Sequence, residues 1–192
     1  MSFVSVVGMH NFISVVADKR ATNSETGEII TENYSKIRVF NDSQFVSCTG
    51  KANAAEFVFK QCSDVGYLDL AKAAQELKEL IQEAPEYKID NLLGVIGGKN
   101  NKGELAFYTF TNNPDIKVEE YKPNGTNMSF TFLASGKVKE NNLDLDFEFK
   151  KLYEEMKPRD IEEIINLQKN LNDKVADVDF TVNKTIDYIV LT

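Results

Sequence analysis

A basic patch, a membrane-length apolar run, a linker and an internal repeat are all missing from this 192-residue chain, which carries one histidine, His10, and two cysteines, Cys48 and Cys62. Each absence removes a class of function. The formal charge of -8, with acidic residues scattered among the lysines, argues against nucleic acid or an anionic membrane as partner. No apolar stretch is long enough to cross a bilayer. The cysteines lack CxxC spacing, and no basic region leads into an apolar core at the N-terminus, so the expected compartment is a reducing cytoplasm. A Ser-His-Asp triad would have to be built around His10, which falls in a turn, without a nucleophile-elbow motif. Neither a Walker A loop nor a GxGxxG occurs. Asp144, Asp146 and Glu148 alternate like metal ligands, but their segment lacks the glycine and the distal glutamate of a calcium loop. They read as the solvated side of a strand or the start of a helix, and neither a cofactor nor a metal is expected.

What is present is a clear order of periodicities. With 42% hydrophobic residues the chain can bury the core of one domain, spanning 1–192. Two β-branched runs, about Ser2 to Gly8 and Phe12 to Asp18, flank Met9-His10-Asn11 and read as a hairpin buried on both faces. Asn23 to Glu28 reads as a polar loop, followed by strands over Lys36 to Phe40 and Gln44 to Cys48. Helical spacing then begins at Lys51, and a second helix runs from Leu70 until Pro85 stops it. Strands return at Leu92 to Ile96 and Leu105 to Thr111, with Gly97 to Gly103 as the turn, and again at Ile116 to Tyr121 and Met128 to Ala134. Helices over Phe147 to Met156 and Arg159 to Val175 precede a last strand, Thr185 to Leu191. This order predicts an α+β fold: two stacked antiparallel sheets with a helical layer outside each, a four-layer α-β-β-α sandwich.

The candidate chemistry begins at the second residue. Removal of Met1 would give Ser2 a free α-amine beside its own hydroxyl, so nucleophile and base would sit on one residue, the amine with a pKa of about 8. Such a nucleophile needs no histidine. It does need a cation that lowers the cost of an alkoxide, a carboxylate that keeps that cation charged, and a backbone N–H aimed at the developing oxyanion.

These residues carry a resemblance. Ser2, the segment Asp18-Lys-Arg20-Ala-Thr22 in register with it, Lys36-Ile37, and the turn Cys48-Thr-Gly50-Lys51-Ala52 resemble the proteasome β-subunit type of N-terminal nucleophile hydrolase, across nearly the whole chain. The resemblance implies Ser2 as nucleophile, Asp18 and Lys36 as the charged pair, and the Gly50 N–H as oxyanion donor. It also matches Ala134-Ser135-Gly136 and Asp179 to the residues that anchor the terminal amine. The family pattern continues after that aspartate with a serine and paired glycines, whereas this chain reads Phe180-Thr-Val182-Asn183-Lys184. By position, Ala21, Cys48, Ala52 and Glu56 would line a small-to-medium specificity pocket with an acidic wall. Taken alone, Cys48 reads as a small core residue and Arg20 as a brace in the charged network.

The implied activity is cleavage of peptide or other amide bonds through a Ser2 acyl-enzyme, in a cytoplasmic homo-oligomer. An unfoldase partner and the substrate stay unidentified. Two other readings remain: a catalytically silent, proteasome-like subunit acting as scaffold or binding module, and an amidase or acyltransferase acting on a small metabolite.

Overall fold

The computed structural model describes residues 2–23, 26–65, 69–84, 92–125 and 127–192. In chain order the first hairpin is β1 (Val4–Met9) and β2 (Phe12–Asp18), with Met9 opposite Phe12 across the His10-Asn11 turn. A small ribbon follows, β3 (Ala21–Thr22) paired with β4 (Ile29–Thr31). Next come β5 (Ile37–Phe40), β6 (Gln44–Thr49) and the helices α1 (Ala52–Val65) and α2 (Leu70–Glu83). The second half holds β7 (Leu93–Lys99), β8 (Leu105–Thr111), β9 (Glu119–Tyr121), β10 (Ser129–Leu133), α3 (Gly136–Glu140), α4 (Leu145–Met156), α5 (Ile161–Val178) and β11 (Ile186–Leu191).

The strands form two antiparallel sheets, β10-β1-β2-β11 and β5-β6-β7-β8-β9. Both faces of each sheet are covered. Val6 and Val15 of the first sheet meet Phe45, Val95 and Phe107 of the second. Against the outer face of the second sheet, α1 and α2 bury Ala54, Val58, Ala74, Leu77 and Ile81. Against the outer face of the first, α4 and α5 bury Phe149, Leu167, Leu171 and Val175. Each of the buried Val, Leu, Ile and Phe side chains among them contributes roughly 1.5–3 kcal/mol over its exposed state. The α-β-β-α sandwich expected from the periodicities is therefore the observed architecture.

Several boundaries differ for physical reasons. Residues 97 and 98, expected in a turn, belong to β7, where Gly97 pairs with Phe45 and Gly98 with Gln44. A side chain at Gly98 would meet the Ser43 carbonyl oxygen at 2.1 Å, and its φ of +130 is one that L side chains rarely adopt, so glycine there serves close strand packing. The polar loop Asn23 to Glu28 is flanked by the β3-β4 ribbon, which the periodicities do not reveal. Of the strand expected from Ile116 only Glu119–Tyr121 pairs, and a short helix, α3, precedes the two anticipated long ones. Asp144 caps α4 by accepting from the Phe147 amide at 3.0 Å, with Asp146 and Glu148 in the first turn, so this acidic run is a helix start. Pro85 lies outside the described residues.

One polar cluster crosses the apolar interior. Gln168 of α5, fully buried, accepts from Ser14 Oγ at 2.6 Å and donates to Ser5 Oγ at 2.6 Å and to the Ser5 carbonyl at 3.0 Å. Burial of these groups is tolerated because each finds a partner.

Candidate active site

Antiparallel pairing gathers distant residues at one end of each sheet. Val4 lies opposite Ala17 and Leu133, while Thr49 lies opposite Leu93, which in turn faces Thr111. Ser2, just ahead of β1, is therefore brought near the end of β2, the end of β10 and the turn after β6. A cavity of about 390 Å3 opens there, lined by Ser2, Thr49, Gly50, Ser135 and Gly136 among others.

The charged pair is buried and tightly made. Lys36 Nζ lies 2.7 Å from Asp18 Oδ1, with the two side chains 2% and 0% exposed. The same Oδ1 accepts the Phe3 amide at 2.8 Å, and Oδ2 accepts the Arg20 amide at 2.9 Å. Lys36 Nζ also donates to the Arg20 carbonyl at 2.7 Å, and the Lys36 carbonyl accepts from Ser47 Oγ at 2.8 Å. One carboxylate thus ties the backbone next to Ser2 to the Lys36 ammonium. Burial pulls the Lys36 ammonium below the ordinary lysine range, and the charge and hydrogen bond of Asp18 oppose that pull.

The second carboxylate ends α5. Asp179 is the C-cap residue and 1% exposed. Its Oδ2 accepts from Ser135 Oγ at 2.5 Å; its Oδ1 accepts from Thr181 Oγ1 at 2.7 Å and from the Thr181 amide at 2.9 Å. Burial raises the Asp179 carboxyl, but the hydrogen bonds from Ser135 and Thr181 outweigh it, and the net shift is downward. Asp179 is close enough for its charge to act on Lys36. Gly50 has a φ of +122, a backbone conformation that favours glycine.

A depressed carboxylate makes a pH prediction with a definite sign. The stability contributed by Asp179 is complete above its unfolded value of 3.8 and disappears as pH falls through the lower folded value. Urea midpoints recorded from about pH 5 down to about pH 2 should fall with acid in the wild type. In Asp179→Asn the fall should be shallower over that window, and an unchanged slope would refute the assignment.

Three residues with no sequence-level role also belong to this region. Thr181, two residues after Asp179, supplies two of its donors through an Asp-x-Thr turn. Asn183 accepts the Lys19 amide at 2.9 Å and donates to Glu32 Oε2 at 2.6 Å. Glu32 binds Arg20 through Nε at 3.0 Å and Nη2 at 3.0 Å. Arg20 is thus a brace, and its Nη1 also donates to the Phe180 carbonyl. The Asp-x-Thr pattern was the one signal available, as an Asx-type turn.

The residues expected to form a specificity pocket do not line the cavity at Ser2. Cys48 packs in the helix-facing core with Ala55 and Leu77, and burial pushes its thiol well above the usual range. Glu56 is exposed, accepting from Tyr34 Oη at 2.6 Å and pairing with Arg38 at 3.3 Å. Ala21 lies in β3 opposite Thr31, and Ala52 is exposed at the start of α1.

No family model matches the sequence, and neither does any curated protein. Among solved structures, eukaryotic HslV from Trypanosoma brucei superposes with a TM-score of 0.70 over 98% of each chain at 14% sequence identity. A likeness of that extent shows the fold: the four-layer sandwich described above is shared with that protein. Among the described residues no helix is long and apolar enough to cross a membrane.

Proposed function

We propose that this chain hydrolyses peptide or other amide bonds in the manner of a proteasome-like peptidase, with Ser2, freed by removal of Met1, as nucleophile. One observation carries the reading: Asp18 Oδ1 holds both the Phe3 amide and the Lys36 ammonium, next to a cavity lined by Ser2, Gly50 and Ser135. The neutral α-amine takes the proton from Ser2 Oγ as Oγ attacks the substrate carbonyl carbon, and the Lys36 charge favours the alkoxide. Negative charge forming on the carbonyl oxygen meets the Gly50 N–H, a contribution of roughly 3 kcal/mol at the transition state. The C–N bond then breaks, and the amine's proton passes to the departing nitrogen. Water, deprotonated by the same amine, cleaves the acyl ester and restores Ser2.

In this reading Ser135 and Asp179 hold the amine, and Thr181 supplies the hydroxyl that the family pattern places in a serine. The enzyme works in the cytoplasm as a homo-oligomer. Support for self-association comes from Ile29, Ile30 and Phe180, each more than half exposed. Native mass spectrometry reads that state directly.

The chemistry is tested by intact mass. A chain prepared with free Ser2 should gain one epoxyketone adduct, because the cyclic product uses both the hydroxyl and the α-amine of a terminal nucleophile. Ser2→Ala and a form retaining Met1 should gain none. Equal labelling of Ser2→Ala would exclude the nucleophile. Silence of a verified free-Ser2 oligomer toward epoxyketones, β-lactones and small amides would favour the scaffold.

A further inference from the structure

The cavity at Ser2, about 390 Å3, is in the size range of small-molecule sites, and two charged side chains line it, Lys137 and Glu140 of α3. Only one of them is committed. Lys137 places its Nζ 4.2 Å from the centre of the Phe180 ring, and its charge acts on the Asp179 carboxylate. Glu140 is exposed, and among the described residues its carboxylate makes neither a hydrogen bond nor an ion pair. Its Oε1 lies 4.0 Å from the point where a side chain on Gly136 would begin, and Gly136 also lines the cavity. The carboxylate therefore folds back over the first turn of α3, toward the residue that follows Ser135.

A second open group lines the same space. Thr49, at the end of β6, is 4% exposed, yet its hydroxyl hydrogen-bonds to no described residue. Buried hydroxyls ordinarily find a partner within the protein, so one left open beside a cavity is an acceptor available to a ligand. The two buried ammonium groups of this region are already engaged. Lys36 pairs with Asp18, and Lys78 of α2 donates to the carbonyls of Ile116 and, at 3.5 Å, of Pro114, without lining the cavity. What the cavity offers unpaired is thus a carboxylate and a hydroxyl.

We infer that the cavity at Ser2 selects its amide substrate by a cationic substituent, an ammonium or guanidinium that pairs with Glu140 and donates to the Thr49 hydroxyl. The inference rests on Ser2 as the reacting group. The substituent can belong to the acyl group or to the leaving amine, and the two arms of the experiment separate them.

The free-Ser2 protein is given the p-nitroanilides of 6-aminohexanoic and heptanoic acid in one arm, and N-acetyl-1,6-diaminohexane and N-heptylacetamide in the other. Each pair differs only by an ammonium in place of a methyl. In Glu140→Gln the ammonium member of one pair should lose roughly 5-fold in kcat/KM, the upper end for a partly exposed ion pair, while the methyl member keeps its value. Added salt should shrink the difference in the wild type. Thr49→Val, which removes the acceptor at nearly constant shape, should likewise weaken the ammonium member and spare the other. A loss shared by both members, or no loss in either arm, overturns the inference and leaves the Ser2 chemistry standing. Binding separates the converse case, because Ser2→Ala freed of Met1 can be titrated with 6-aminohexanamide and heptanamide without any reaction. Saturable amide shifts at Gly50, Gly136 and Glu140, with an affinity for 6-aminohexanamide alone that falls roughly 5-fold on adding Glu140→Gln, support the inference even if free Ser2 cleaves nothing. Equal affinities for the two amides, or none for either, overturn it.

Discussion

Lys36→Met should lower the melting temperature by roughly 6–20 °C, the largest stability effect expected of a single substitution at the site. Methionine keeps the apolar stem but leaves the Asp18 carboxylate without its ammonium in a fully buried position. Removing one member of a buried pair costs about 3–5 kcal/mol, and a domain of this size loses roughly 2–4 °C per kcal/mol. Adding Asp18→Asn should restore part of the loss by removing the orphaned charge. Full restoration is not expected, because both carboxylate oxygens accept backbone amides, from Phe3 and Arg20, and an asparagine has a single acceptor oxygen. Thermal melts of the two variants decide the matter. A Lys36→Met melt within about 2 °C of the wild type would show that the pair is not sequestered from water.

Hydrolysis should respond more sharply than stability. For any amide that the free-Ser2 protein cleaves, Ser2→Ala and the Met1-retaining chain should lose at least roughly 10³-fold in kcat/KM, as expected when a group acting as part of a unit is removed. The two variants fail for different reasons. Ser2→Ala lacks the oxygen that attacks, while in the Met1-retaining chain the oxygen is intact but its neighbouring nitrogen, now acylated, cannot take a proton. Hydroxylamine or added amines should not rescue the former. Lys36→Ala should also reduce kcat steeply, and Cys48→Ala, from a residue that packs toward the helices, should leave kcat near the wild-type value. Comparable turnover by Ser2→Ala would end the proposal.

The layered fold was legible because its signals are additive along each element. β-Branched runs such as Ile13 to Ala17 are buried on both faces, and Leu70, Ala73, Ala74, Leu77 and Ile81 repeat at helical spacing on one side of α2. Short elements gave no such accumulation. The β3-β4 ribbon pairs over a handful of residues, and Gly97-Gly98 carries the signature of a turn although the neighbouring Phe107 and the Ser43 backbone, both remote in sequence, leave room only for glycine. The buried ion pair was legible where the chain register fixed it, as Asp18 and Lys36 lie 2.7 Å apart. The lining of the cavity was not. Leu93, Thr111 and Ile116 reach it from β7, β8 and the following loop, and no local pattern reveals that these meet in space beside Ser2.

The buried Gln168 cluster has a bearing on where Asp179 stands. Both residues belong to α5 or its cap, and about three helical turns separate them, so they project from nearly the same side of the helix. Sliding α5 by one residue along the sheet, about 1.5 Å, would strip Gln168 from Ser5 and Ser14 and leave its buried amide without those partners in an apolar interior. The helix therefore behaves as a ruler whose zero is set at Gln168, and its far end delivers Asp179 to Ser135 at a fixed distance. Inserting or deleting one residue between the two marks would turn the carboxylate by about 100° and carry it out of reach of its hydroxyl, even with every apolar contact upstream kept.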